Sequence, residues 1–169
     1  MTDNEIRQIF KNLDSFDHAM LVTERDGELR SRPMVIGDYT DDGRIRFITR
    51  DDSEKVAEID EYPKVNVALH GDSTFLSVSG NARLTKNRDL IDKTWQQTQR
   101  PWFSEGRDDP HAMVLEVIPT YVEYWNRSGS SVMQSIFHQA QEALGGMPDR
   151  DSVRQETEHR SVDISNRPL

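Results

Sequence analysis

The sequence predicts an α+β domain built on six antiparallel strands with short flanking helices. Stretches that alternate apolar and polar residues recur between His18 and Trp125, and each is bounded by a Gly, Pro or Asp turn signal. The chain is only 34% hydrophobic and 30% charged, so its apolar residues are concentrated in a few readable segments. At 169 residues it is long enough to bury one core without covalent staples.

Thr2 or Asp3 can cap a first helix reaching about Leu13, with Ile6, Ile9, Phe10 and Leu13 along one stripe. A hairpin follows, His18 to Arg25 and Glu28 to Ile36, closed by the turn pair Asp26-Gly27. A third strand, Arg44 to Thr49, comes after Asp41-Asp42-Gly43. Ser53 can cap a short helix to Glu61, which Tyr62-Pro63 stops. Lys64 to His70 then places Val65, Val67 and Leu69 on one face. Thr74 to Thr85 does the same with Leu76, Val78, Gly80, Ala82 and Leu84. Asn87 can cap a helix to about Thr98, and the Arg100 to Gly106 loop leads into a last strand, Ala112 to about Trp125. These elements define a domain over residues 1–126. An extra amphipathic C-terminal helix is expected from Ser131 to Leu144, within an extension over 127–146, because Met133, Ile136, Phe137, Ala140 and Leu144 share a side. Residues 147–169 read as a polar tail expected to be disordered.

Charge and composition exclude several functions. A net charge of −9 opposes binding to a nucleic-acid backbone. No stretch has the apolar length of a membrane span and the first residues lack a signal-peptide pattern, so the cytoplasm is the default location. Without cysteine there is no thiol nucleophile, and the five histidines show no metal-binding spacing, so no metal site is expected. The glycine patterns that cradle phosphates and the serine-hydrolase elbow are both missing. Redox work would therefore need a bound cofactor, with any phosphate gripped by side chains.

Four stretches carry groups that a plain barrel does not require. In Arg30-Ser31-Arg32-Pro33-Met34 the two arginines share a strand face, where an anion could pair with both; a solvated face is the plainer reading. In Phe47-Ile48-Thr49, with Ser53 and Lys55, a strand ends where a helix begins, which suits a phosphate. Here the plainer reading is an N-cap and a surface lysine. Leu76-Ser77-Val78-Ser79-Gly80 puts hydroxyls on one strand face, which sheet packing also explains. Trp102-Phe103 stand in a loop, where they could cover a flat conjugated ring or simply anchor the loop.

In this order and spacing, together with Glu105-Gly106 and Glu123-Tyr124-Trp125, these stretches resemble the general stress protein branch of the pyridoxamine 5′-phosphate oxidase-like flavin-binding split barrels. The likeness spans about Glu5 to Trp125. It implies a six-stranded split β-barrel that forms a homodimer, with an FMN at each end of the interface. By position, Arg30, Ser31, Arg32, Pro33 and Met34 would lie along the isoalloxazine and ribityl chain, facing Phe47, Ile48 and Thr49. Ser53 and Lys55 would hold the phosphate. Ser77, Ser79, Trp102 and Phe103 would form the far wall, contributed by the partner subunit. Ser104 stands where family members commonly have Pro, and the extension after Trp125 lies outside the likeness.

The resemblance leaves an FMN-dependent oxidoreductase, a non-catalytic flavin store or sensor, and an interaction module as functional classes. FAD and the deazaflavin F420 are alternative cofactors. Haem ranks below F420, since only His70 is placed to be an axial ligand.

Overall fold

The computed structural model describes residue 10 and residues 16–71, 74–126 and 158–163. The expected hairpin forms as β1 (His18–Arg25) and β2 (Glu28–Val35), with His18 opposite Val35 and Arg25 opposite Glu28. Asp26 and Gly27 both take positive φ, 54° and 79°, as a tight turn matched to the strand twist requires. Two further strands, β3 (Asp38–Tyr39) and β4 (Ile45–Arg50), flank a turn at Gly43. Helix α1 (Glu54–Glu61) ends at Tyr62, and β5 (Lys64–His70) and β6 (Thr74–Thr85) follow with the predicted bounds. Helix α2 (Arg88–Thr94) precedes β7 (Ala112–Asn126), and β8 (Glu158–Asp163) closes the described chain.

All pairings are antiparallel, in the order β2-β1-β5-β6-β7-β4-β3. β7 pairs along one edge with β6 and divides the other between β4, at Ala112–Val117, and β8, at Tyr121–Asn126. A bulge at Ser79/Gly80 bends β6 where the backbone of Ile118 approaches Gly80 so closely that a Cβ there would sit 2.3 Å from its carbonyl oxygen.

Inward residues of the sheet, among them Leu21, Phe47, Val67, Val78, Leu115 and Val117, make the main core with Ile59 of α1. Phe10 belongs to it as well, 2% exposed. A second cluster, Ile48, Ile91, Phe103, Ala112 and Val114, lies on the opposite face of β4 and β7. These two strands are thus covered on both sides. Arg46 and Glu116, cross-strand neighbours on that outer face, are both buried and joined by a 2.8 Å Nε–Oε1 hydrogen bond.

The structure corrects the expected architecture in four places. Eight strands are present among the described residues, not six, and the end strands β2 and β3 are not paired with each other. β3, two residues long, is too short to show a period. β8 falls in the stretch expected to be disordered; its sequence is Glu-His-Arg-Ser-Val-Asp, and it forms because the edge of β7 supplies the missing hydrogen bonds. The helix from Asn87 stops at Thr94 instead of Thr98. The reciprocal caps between Gln96 and Gln99 start a separate 3-10 segment, Gln97–Trp102. The helices expected over Thr2–Leu13, Phe10 apart, and over Ser131–Leu144 lie outside the described residues.

Candidate functional site

Where β2 ends, β4 ends and α1 begins, the chain leaves a cavity of about 330 Å³. Its wall comprises Arg32, Pro33, Met34 and Val35 from β2, Ile48, Thr49 and Arg50 from β4, Ser53 and Lys55 at the start of α1, and Gln99, Trp102 and Phe103. Nine of the fourteen sequence-derived site residues therefore meet in one place: Arg32, Pro33, Met34, Ile48, Thr49, Ser53, Lys55, Trp102 and Phe103. The wall has an apolar side and a cationic end.

The cationic end holds three basic side chains in different states. Arg50 is paired with Asp52, at 3.0 and 2.9 Å. Arg32 donates to Oε2 of Glu58 at 2.7 Å and to the hydroxyl of Thr23. Lys55, by contrast, has no ion pair among the described residues. Its partial burial, followed by the nearby Arg32 guanidinium, pulls the ammonium below its ordinary pKa, although Glu58 and Asp52 oppose this. An anion bound there would gain an uncompensated cation.

Ser53 has the extended backbone of an N-cap, φ −85° and ψ 147°, yet its side chain caps nothing. Its hydroxyl instead donates back to the carbonyl of Arg50 at 2.8 Å and lies 3.4 Å from Thr49 Oγ1. The Ser53 side chain therefore takes none of the leading N–H groups of α1, which lie beside Lys55, although the Val56 N–H donates to the Ser53 carbonyl at 3.0 Å.

On the apolar side Phe103 is 3% exposed and packs edge-on against Trp95, centroids 5.4 Å apart, while Trp102 is 60% exposed. Only the first is a core anchor. Arg100 steadies the loop by donating to the carbonyls of Phe103 and Ser104. Gln99 is 3% exposed; its Oε1 accepts from the backbone N–H of Gln96, and its Nε2 has no hydrogen-bond partner. An orphaned buried donor is costly, and a ligand acceptor would satisfy it.

Five of the expected site residues do not line the cavity. Phe47 is wholly buried in the main core. Arg30 pairs with Glu58 at 3.3 Å and Glu54 at 3.8 Å, and Ser31 is exposed on β2. Ser77 and Ser79 accept hydrogen bonds from Asn66 Nδ2, at 2.9 and 3.1 Å. Arg30 and Arg32 do converge on one anion, but that anion is the carboxylate of Glu58. Trp102 and Phe103, assigned above to the partner subunit, line the cavity of their own chain. Val35, Arg50, Gln99 and the supporting Glu58 were missed. Among these, a polar residue in the inward phase of β1, Thr23, was the available signal that a buried partner such as Glu58 must exist.

Asp51, Asp52 and His111 also cluster within 4.8 Å, but Asp51 is already bonded to Lys86 and to His111 Nδ1. No helix among the described residues is long and apolar enough to cross a membrane.

Comparison with known proteins gives the family and the fold. The family described as Pyridoxamine 5′-phosphate oxidase like matches residues 4–149. General stress protein 26 of Bacillus subtilis (strain 168) is 31% identical over 134 residues, which span 75% of this chain and 92% of that protein. The crystal structure of the general stress FMN/FAD binding protein from Xanthomonas citri superposes with a TM-score of 0.64 at 26% identity, covering 78% of this chain and 94% of that one. A general stress protein 26 structure from Jannaschia sp. CCS1 shares the fold over 96% of this chain and 99% of its own, with a TM-score of 0.69 and 20% identity. The chain belongs to the pyridoxamine 5′-phosphate oxidase-like family, in its general stress protein branch.

Proposed function

We propose that this chain binds FMN in the cavity between β2, β4 and α1 and acts as a flavin-dependent oxidoreductase. Lys55, unpaired among the described residues and beside a helix start that the Ser53 side chain does not cap, carries the reading, because a cation and helix N–H groups together suit a phosphate. The residues fit the rest of the group. Met34, Ile48, Phe103 and Trp102 offer apolar surface to a flat ring, and Gln99 Nε2 is a donor suited to a ring carbonyl. The size of the cavity, near the lower bound of the roughly 300–1,000 Å³ usual for ligand sites, favours FMN over FAD.

Bound flavin would supply two-electron redox chemistry. This chain would contribute grip at the phosphate, orientation of the ring and shielding by Trp102. Among the described residues no carboxylate or imidazole lines the cavity. That favours hydride transfer, which needs no protein acid at the reacting atom, and equally a store or sensor without turnover. In the full reading the chain is a split barrel, its sheet open between β2 and β3, within a homodimer in the cytoplasm, where Ser77 and Ser79 would reach the second site from across the interface.

The test is an absorption spectrum of the purified protein before and after incubation with FMN and gel filtration, followed by reduction with NADH and NADPH. Retained flavin with turnover well above that of free FMN is expected. Retained flavin without turnover would indicate storage or sensing. Failure to retain FMN, with retention of F420, would overturn the cofactor assignment.

A further inference from the structure

We propose that Glu58, which is not part of the cavity wall, is a positioning residue that aims Arg32 beside Lys55, making the two cations a single anion clamp. The inference rests on the phosphate reading of the cavity given above. Glu58 lies on α1 with its side chain 1% exposed, and both of its oxygens are engaged. Oε2 accepts from Thr23 Oγ1 at 2.5 Å and from Arg32 Nη2 at 2.7 Å, and Oε1 accepts from Arg30 Nη1 at 3.3 Å. Arg32 also donates through Nη1 to the same Thr23 hydroxyl, so its guanidinium is held at two points on one edge. A long side chain fixed in this way loses little further freedom when an anion arrives.

Burial alone would push the Glu58 carboxyl up. The Thr23 hydrogen bond and the Arg32 and Arg30 cations outweigh that and hold it below the usual carboxylate range. Glu58 is therefore charged at neutral pH. The charged groups facing Lys55 are Arg32 on β2, Glu58 on its own helix and Asp52 in the preceding turn; those facing Glu58 are Arg30 and Arg32 on β2, with Thr23 on β1. Because Glu58 supports the Lys55 ammonium against Arg32, its loss would both free Arg32 and let Lys55 deprotonate at lower pH.

The two roles open to Glu58 predict opposite signs. If it acted only as a nearby negative charge, Glu58→Gln would raise the positive potential and tighten FMN binding at pH 7. As a positioning residue, its loss weakens binding. The experiment titrates wild type, Glu58→Gln and Glu58→Asp with FMN and with riboflavin, which lacks the phosphate, across pH 6 to 10. Glu58→Gln is expected to weaken FMN by about tenfold and riboflavin by less than about threefold, the loss typical of one charge-assisted contact. The alkaline limb of FMN affinity should move to lower pH, and Glu58→Asp should recover part of both effects. Should Glu58→Gln fail to fold, Thr23→Val removes the shared hydroxyl while keeping the carboxylate, and a smaller loss in the same direction is expected. Unchanged or tighter FMN binding, or equal losses for FMN and riboflavin, would overturn the proposal. If wild type binds no FMN, the flavin reading fails; inorganic phosphate titrated by calorimetry into the same proteins then decides Glu58 separately, with weaker binding in Glu58→Gln supporting the clamp and equal binding or none refuting it.

Discussion

Replacing Lys55 with Met retains most of the aliphatic stem while removing the charge, which makes Lys55→Met the sharpest probe of the phosphate end. A charge-assisted hydrogen bond contributes about 1.5–3 kcal/mol, and the partial exposure of Lys55 places the expected loss near the lower figure. FMN affinity should therefore fall about tenfold. Riboflavin, with no phosphate for the ammonium to meet, should bind both proteins alike. Flavin fluorescence quenching at several salt concentrations measures both, and the difference between the two ligands should shrink as salt rises. Stability should respond in the opposite direction. The Lys55 pKa is lower in the folded chain than the ordinary 10.5, so the unfolded chain binds more protons between the two values and stability increases with pH there. The destabilising contribution is complete below the folded value and vanishes above 10.5, hence the ligand-free Lys55→Met protein should be at least as stable as wild type at pH 7. Equal FMN affinity in the two proteins, or an equal loss for FMN and riboflavin, would refute the assignment.

Three other perturbations test the frame around the site. Gly43→Ala meets both a φ of +87° and Phe10, whose Cε2 would lie 2.3 Å from the new Cβ; a loss of about 2–4 kcal/mol should lower Tm by on the order of 5–10 °C in differential scanning fluorimetry. The Asp51 carboxyl is held at about 2, first by the Lys86 hydrogen bond and then by His111, against an ordinary 3.8. Its stabilisation is complete above that ordinary value and disappears as pH falls through about 2, so urea melts of Asp51→Asn and wild type should differ most near neutrality and converge toward the acid end. Ending the chain at residue 157 removes β8 and bares the Tyr121–Asn126 edge of β7, and light scattering on warming should then show concentration-dependent association into species larger than those the full chain forms.

Much of this frame was legible in the sequence because period and turn chemistry agreed. β1, β5 and β6 have the bounds that alternation gives, the hairpin turn is where Asp26-Gly27 places it, and Asn87 caps α2 by accepting from the N–H of Leu90. The errors have local causes. β8 depends on an edge supplied by Tyr121–Asn126, far outside any window on Glu158–Asp163. The break after Thr94 depends on Gln96 and Gln99 capping each other, and neither residue is a usual cap. Trp102 and Phe103 were equally readable as a pair, yet only the packing of Trp95 against Phe103 decides which one is core.

The site itself was legible as residue types and not as pairings. Strand period placed Arg30 and Arg32 on one face, where an anion could pair with both, but could not say whether that face met a ligand, a group of the chain or only solvent. The structure gives it a group of the chain. Glu58 satisfies Arg32 and, among the described residues, leaves Lys55 without an ion pair, so the excess charge of the cavity resides on a cation whose burial already disfavours it. A pocket neutralised throughout would have no use for a phosphate, and one with three free cations would repel itself. One satisfied arginine beside one unsatisfied lysine gives a site that is both pre-ordered and attractive to an anion. This division of roles follows from where Glu58 sits on α1, and residue type alone does not distinguish it from Glu54 or Glu61 on the same helix.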